Sequence, residues 1–350
     1  MSEAPRLTGI GDTIAAIPTI VGYQPAEGCV AVMGASNDVV AVTGVIQWPD
    51  EPDLRATAED LAAAFRASMI NGGVDHLMIV GYGETGAARA VAFADAIDAT
   101  MGNPPTHYEI LVQDGRYRLN HPAASWRAVP EPPAEFAVAG WAPAAATREE
   151  LWARYDPLER PTIEALSADH RRRLDRLSPS LRADIARRSL DRIATRDDRV
   201  SDGAQVAHLV QDPPVRDAVI VHAQGDVART EALVQTFRGA PRAQRAVLAA
   251  AAGTALYLRG EAAHADPVLA HAGDDTLAGL ARSAVAAGLP PGRVRADLVG
   301  AVDEDLAQAD ARWSLQTQGL DVPRGNRVEE PQHEPPTVAP PAPGVSGPSI

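Results

Sequence analysis

The sequence predicts an α/β fold, a mixed sheet with helices, followed by an all-α part built of helical hairpins. Three observations carry that prediction. Leu77 to Val80 is an apolar run that breaks into glycines at Gly81, Gly83 and Gly86 and then opens an alanine-rich helical pattern. Strand, glycine turn and helix form the unit from which α/β domains are made. Two further strand-type runs precede this unit, so strands do not simply alternate with helices. From Thr147 onwards no strand-like alternation occurs, and proline and glycine cut the chain into helix-length pieces.

In chain order, Gly11 to Tyr23 places Ile14, Ile17, Ile20 and Val21 at helical spacing after a candidate N-cap at Asp12. Pro18 predicts that this helix is short or kinked, and Gly22-Tyr23-Gln24-Pro25 ends it. Cys29 to Met33 and Val39 to Trp48 read as strands of a hairpin turning at Ala35-Ser36-Asn37-Asp38, closed by Pro49 and Pro52. Asp53 to Ile70 reads as a helix with Leu54, Leu61, Phe65 and Met69 on one face, stopped by Gly72-Gly73. The central strand, a helix over Glu84 to Met101 and a strand over Tyr108 to Val112 follow. Asp114-Gly115 signals a type I′ turn into a strand at Arg116 to Leu119.

Residues 1–119 therefore form the α/β part. Residues 120–146, rich in Pro, Ala and Trp, read as a connector with a short apolar piece at Phe136 to Ala139. Residues 147–320 form the helical part. Its breaks are expected at Ser178-Pro179, Asp212-Pro213-Pro214, Gly239-Ala240-Pro241, Gly260, Gly273 and Gly288-Leu289-Pro290-Pro291. The clearest hairpin, Arg242 to Leu258 and Glu261 to Ala272, has a tetratricopeptide-like look. Residues 321–350 carry almost no large apolar side chains and are expected to be a disordered tail, because they cannot bury enough surface to offset ordering entropy.

Composition removes several function classes. A chain of 350 residues that is 45% hydrophobic can bury a sizeable core, and its 4% aromatic content leaves Ala, Val, Leu and Ile to fill it. The net charge of -14 argues against general affinity for nucleic acid or an anionic membrane. The single cysteine, Cys29, forms no internal disulfide and lies in an apolar run, where it reads as a small buried hydrophobe. The chain has no lysine, which excludes a Walker lysine, a kinase strand lysine and Schiff-base chemistry. Ala246 to Leu258, the longest apolar stretch, is about half of a membrane span. Asp12 and Pro18 interrupt the N-terminal apolar run, which also lacks a positive leader. These features imply a cytoplasmic protein without a membrane partner.

Three constellations are candidate sites. The first is the turn Gly81, Tyr82, Gly83, Glu84, Thr85 and Gly86, whose glycine spacing is that of a dinucleotide-binding loop. Asp114 is the nearest strand-end acid for a ribose, and it comes late in the chain. Glu84 at the helix start would oppose a phosphate, and hairpin strands stand where a first strand is required. The spacing therefore reads as a strand-to-helix turn that needs small residues, and no cofactor is expected. If the turn does take a ligand, Tyr23, Glu84, Thr85, Asp114 and Arg116 are the side chains expected to converge on it.

The second is an arginine belt with Arg172, Arg173, Arg187 and Arg188 as candidate anion contacts, flanked by Arg171, Arg176, Arg182, Arg192, Arg196 and Arg199. Asp169 with Arg173 and Asp184 with Arg188 instead fit ordinary i,i+4 pairing, and Asp175 is near. No aromatic lies between Tyr155 and Phe237 to stack on a base. The third is His264-x-Asp266 with His271, Asp274 and Asp275, metal-ligand types without a recognised spacing, so no metal site is assigned. No Gly-x-Ser-x-Gly elbow is present.

Several fragments together resemble one family. They are Asp12-Thr13-Ile14-Ala15-Ala16-Ile17-Pro18 leading into Val21-Gly22-Tyr23-Gln24-Pro25, then Val30-Ala31-Val32 and Val80-Gly81-Tyr82-Gly83. Gly140, Arg148-Glu149-Glu150-Leu151 and Val215-Arg216-Asp217-Ala218 follow. Over residues 5–315 their order resembles a family of high-GC Gram-positive bacteria and their phages, known as a domain of unknown function, number four-one-nine-two. The chain departs from the family's pattern at Gly28, after Glu27, where members usually carry serine. The resemblance implies an α/β part followed by a helical part and supplies no activity. It also weakens the dinucleotide reading, since the family keeps Gly-Tyr-Gly without a fixed third glycine.

The expected function is a non-catalytic or regulatory role in which the helical half binds another protein. The alternative is an enzyme or sensor that binds a small anionic ligand or nucleotide at the Gly81–Gly86 turn.

Overall fold

The computed structural model describes residues 9–36, 39–46, 48, 53–134, 143–195, 200–287 and 289–318. The expected turn at Asn37-Asp38, the closing Pro49 and Pro52, the apolar piece at Phe136 to Ala139 and the tail lie outside these residues.

Six strands form a single mixed sheet in the order β2-β1-β3-β4-β5-β6. They are β1 (Val30–Ser36), β2 (Val39–Ile46), β3 (His76–Tyr82), β4 (Thr106–Gln113), β5 (Arg116–Leu119) and β6 (Arg127–Ala128). Only β3 and β4 run parallel, with Val80 opposite Ile110; the other neighbours are antiparallel. The β3–β4 crossover is made by helix α3 (Gly83–Thr100), the unit expected from the glycine break. Asp114 (φ 49°) and Gly115 (φ 68°) both adopt the left-handed backbone of a type I′ turn.

Strand alternation sorts side chains into two cores. Val30, Val32, Leu77 and Ile79 face helix α2 (Leu54–Asn71) and α3, around the buried Phe93 and Ile97. Ala31, Met33, Val80 and Ile110 point the other way, onto Ile14, Ile17 and Val21 of helix α1 (Ile10–Val21).

Two sequence expectations need correction here. The N-cap of α1 is Gly9, and Asp12 sits inside the first turn. Pro18 lies inside α1, which runs on to Val21 and closes at Gly22 with φ 83°, the end expected from the sequence. Of the predicted apolar face of α2, Leu61, Phe65 and Met69 pack into the core beside the buried Thr57, Ala58, Ala62 and Ser68, whereas Leu54 is exposed. Asp53 caps α2 through Arg55 and Ala56. The connector also contributes structure that composition hid. It supplies β6, and Ala145 bridges to Tyr23.

The helical part comprises α4 (Arg148–Arg154), α5 (Ala168–Asp175), α6 (Pro179–Thr195), α7 (Val200–Leu209), α8 (Pro213–Ala223), α9 (Val227–Gly239), α10 (Arg242–Leu258), α11 (Ala262–Ala270), α12 (Thr276–Ala286) and α13 (Pro291–Thr317). The expected breaks fall between helices. A further break at Gly225-Asp226, where Asp226 caps α9 through Arg229, had no proline to announce it. Helix α10 is enclosed, with all residues from Leu248 to Leu258 buried. Its Gly253 lets Leu269 of α11 approach, since a Cβ there would lie 2.5 Å from the leucine Cγ. The two parts meet directly, with Ser68 and Asn71 of α2 donating to the carbonyls of Ala286 and Ala287 at the C-terminal end of α12. Among the described residues, no helix is long and apolar enough to cross a membrane.

Candidate functional site

Where β3 runs into α3, the glycines answer to packing. A Cβ on Gly81 would stand 2.3 Å from the Gly86 carbonyl oxygen, and one on Gly86 would stand 2.9 Å from that of Cys29. These two residues let the first turn of α3 rest against the ends of β3 and β1. Gly83 has φ 71°, and a Cβ there would come within 2.5 Å of the Glu27 Cγ and 2.9 Å of its Oε1. The Glu27 side chain thus lies over the N-terminus of α3, the position where a dinucleotide loop holds pyrophosphate. A fixed carboxylate there repels a phosphate. Arg89, the nearby cation of α3, donates to the Gly28 carbonyl at 2.9 Å and lies over the Trp48 ring.

Beside this turn opens a cleft of about 500 Å³ at the C-terminal ends of β3 and β4. Its apolar wall is formed by Ile14 and Pro18 of α1 together with Val129 and Pro130 beyond β6. Its polar lining is Gln24, Glu27, Tyr82, Gln113 and Asp114. Among the described residues that line it, none is cationic. The Tyr82 hydroxyl is buried and has no hydrogen-bond partner among the described residues. Burial, with the adjacent Cys29 adding to it, holds that phenol well above its ordinary pKa, so it stays protonated. Burial likewise raises the Cys29 thiol, which makes it a poor nucleophile.

Of the residues the sequence singled out at the turn, the cleft gathers Tyr82, Gly83 and Asp114. Gly81 and Gly86 are buried between strand and helix, and Glu84 and Thr85 are exposed on the first turn of α3. Glu27 carries no motif and enters with Gln24 on the return of the chain from α1 across the strand ends, while Gln113 enters as the last residue of β4.

The arginine belt resolves into local partnerships. Arg172 pairs with Asp169 at i,i+3, which displaces the expected Arg173. Arg187 lies 3.8 Å from Asp184, while Arg188 bonds the Asp184 backbone carbonyl instead of its carboxylate. Arg192 clasps the buried Asp202 through two nitrogens. Arg182 meets Asp212 at 3.0 Å beside a second cavity of about 370 Å³, where His208 meets Asp175 at 2.8 Å. Arg196 and Arg199 lie outside the described residues.

The histidine constellation is likewise dispersed. His264 is buried, with Nδ1 2.6 Å from the Tyr155 hydroxyl, and its Nε2 lies against Gly22. Desolvation, then Arg154 and Arg259, lower its pKa to about 4. His271 approaches Asp156 at 3.5 Å, and Asp275 caps α12 and faces Arg216. Among the described residues no group of three or more His, Cys, Asp or Glu is placed to hold a metal ion.

A mixed-sheet α/β unit with a cleft at its strand ends, joined to a helical bundle, defines the class of protein. The chain belongs to the family described as a domain of unknown function, DUF4192, which matches residues 11–292 and so takes in both parts. Neither the curated proteins nor the solved structures yield a match to the chain.

Proposed function

We propose that this protein binds a small molecule in the cleft at the carboxyl ends of β3 and β4. The carrying observation is the cleft itself. Its volume of about 500 Å³ is that of a small-ligand pocket, and it combines an apolar wall with a few polar groups. Ligands of open α/β sheets bind outside the carboxyl ends of the strands, which is where this cleft lies. The lining favours binding over catalysis, because the phenol of Tyr82 is held protonated and the thiol of Cys29 lies outside the lining. The carboxylates of Glu27 and Asp114 also disfavour the anionic ligand or nucleotide that the glycine spacing suggests.

Protein binding by the helical half has less behind it. Leu181, Val200, Val227, Leu280 and Val299 are exposed on five different helices, and singly exposed apolar residues are normal on a surface.

A fragment screen read by thermal shift tests the proposal. Fragments that bind the cleft should raise Tm in proportion to occupancy, by mass action. Gln24→Trp, at an exposed lining position, should fill the cleft and abolish those shifts while leaving the unliganded Tm nearly unchanged. Shifts that survive in Gln24→Trp, or a screen without any concentration-dependent shift, would overturn the reading.

A further inference from the structure

We propose that the cleft selects a ligand with a cationic head, an ammonium, amidinium or guanidinium group, carried on a small apolar body. The inference rests on the cleft being a binding site and names the chemistry it takes.

Its polar groups are predominantly acceptors. Glu27, held over Gly83, and Asp114, at the left-handed turn position, bring negative charge from two different loops. No cation among the described lining residues neutralises them.

A ligand that supplies several N–H donors and a positive charge pairs with these two carboxylates through charge-assisted hydrogen bonds. A phosphate or carboxylate would place like charges together. A bare divalent ion fits poorly, since calcium takes six to eight oxygen ligands and two carboxylates on separate loops fall short of that. The apolar body follows from the opposite wall, where Ile14, Pro18, Val129 and Pro130 offer carbon surface and no donors.

The full chain should be titrated calorimetrically with benzamidine, with its neutral analogue benzamide and with benzoate. Benzamidine should bind with a Kd about fivefold lower than benzamide for each carboxylate it pairs with, and benzoate should not bind, because an exposed charge pair is worth up to about 1 kcal/mol. Glu27→Gln and Asp114→Asn should each weaken benzamidine by about that factor and leave benzamide unchanged. Asparagine tolerates the left-handed backbone at position 114, so that variant keeps the turn. Rising salt should weaken benzamidine binding as well.

Benzoate binding as well as benzamidine does, or unchanged benzamidine affinity in both variants, would overturn the cationic class. Benzamide binding equally tightly and lost in Gln24→Trp would leave the cleft as a site and remove the charge preference. Binding by none of the three probes would overturn the cationic proposal, and the fragment screen would then decide on the cleft separately.

Discussion

The sheet end and the helical half solve the problem of a core poor in aromatics in opposite ways. Around α10 the chain closes completely, and the run from Leu248 to Leu258 is buried on every side by alanine-lined helices. At the carboxyl ends of β3 and β4 the chain stays open, because the antiparallel hairpin and the short β5 and β6 leave α1 spanning a gap. Close packing in the first case is made of side chains that can yield. In the second it is made of backbone, since Gly81 and Gly86 bring strand and helix into direct contact.

The largest expected effect tests that contrast. Gly81→Ala would put a Cβ 2.3 Å from the Gly86 carbonyl oxygen and 2.6 Å from the Ala87 nitrogen, and neither can rotate away. A loss of about 3 kcal/mol is expected, the upper end for an overpacked core. Gly253→Ala in α10 meets the buried Leu269, at 2.5 Å from Cγ and 2.6 Å from Cδ2, with its backbone nitrogen at 3.2 Å. The side chain can repack in part, and alanine regains about 1 kcal/mol of helix propensity. Its net loss should be no more than about 2 kcal/mol in urea unfolding. Equal losses for the two variants would end the distinction between backbone and side-chain packing.

A second effect belongs to the helical half and depends on pH. His264 has a folded pKa of about 4 against an unfolded value of 6.5, so it is a histidine with a depressed pKa. Below the unfolded value the unfolded chain binds the proton and the folded protein does not. Stability is therefore lost as pH falls from 6.5 towards 4, by about 2 kcal/mol at pH 5, and this group contributes no slope above 7. Glu261, its buried neighbour, has a carboxyl raised mainly by burial and bends the profile the other way. The informative quantity is consequently the difference between the wild type and His264→Gln at each pH. A shallower wild-type slope than that of His264→Gln would contradict the burial of a neutral imidazole.

Most of the architecture was legible in the residues because it depends on local signals. The apolar run Cys29 to Met33, the Asp114-Gly115 pair and the stop at Gly72-Gly73 act within a few positions, and the structure follows them. The fold class and the family could be read from the same signals. Positions set by tertiary contact were not legible. Leu54 faces solvent as the first residue of α2, while Leu61, Phe65 and Met69 further along pack into the core, and periodicity cannot register where along a helix the contact begins. Asp184 answers Arg187 rather than Arg188 because Arg187 also reaches the Ala218 carbonyl of α8. Of the cleft, the sequence identified Tyr82, Gly83 and Asp114. Glu27 escaped because its place over Gly83 comes from the path between α1 and β1, which carries no repeat or motif.

The smallest expected effect is also the sharpest comparison, since it turns on sign. Tyr82 and Tyr257 are both mostly enclosed phenols, one at the open sheet end and one at the closed helical core. The Tyr257 hydroxyl donates to the Leu289 carbonyl at 2.6 Å, which ties the end of α10 to the segment ahead of α13. Tyr257→Phe removes that bond and leaves the carbonyl unpaired, so a loss of about 1 kcal/mol is expected. The Tyr82 hydroxyl is buried without a partner among the described residues and is a cost to the unliganded fold. Tyr82→Phe keeps the ring and removes that cost, so the unliganded protein should gain up to about 1 kcal/mol. Chemical denaturation of both variants at neutral pH measures the two signs in one experiment. A loss in Tyr82→Phe comparable to that in Tyr257→Phe would mean that its hydroxyl is already satisfied in the free protein, and the contrast in sign between the open and the closed end of the molecule would disappear.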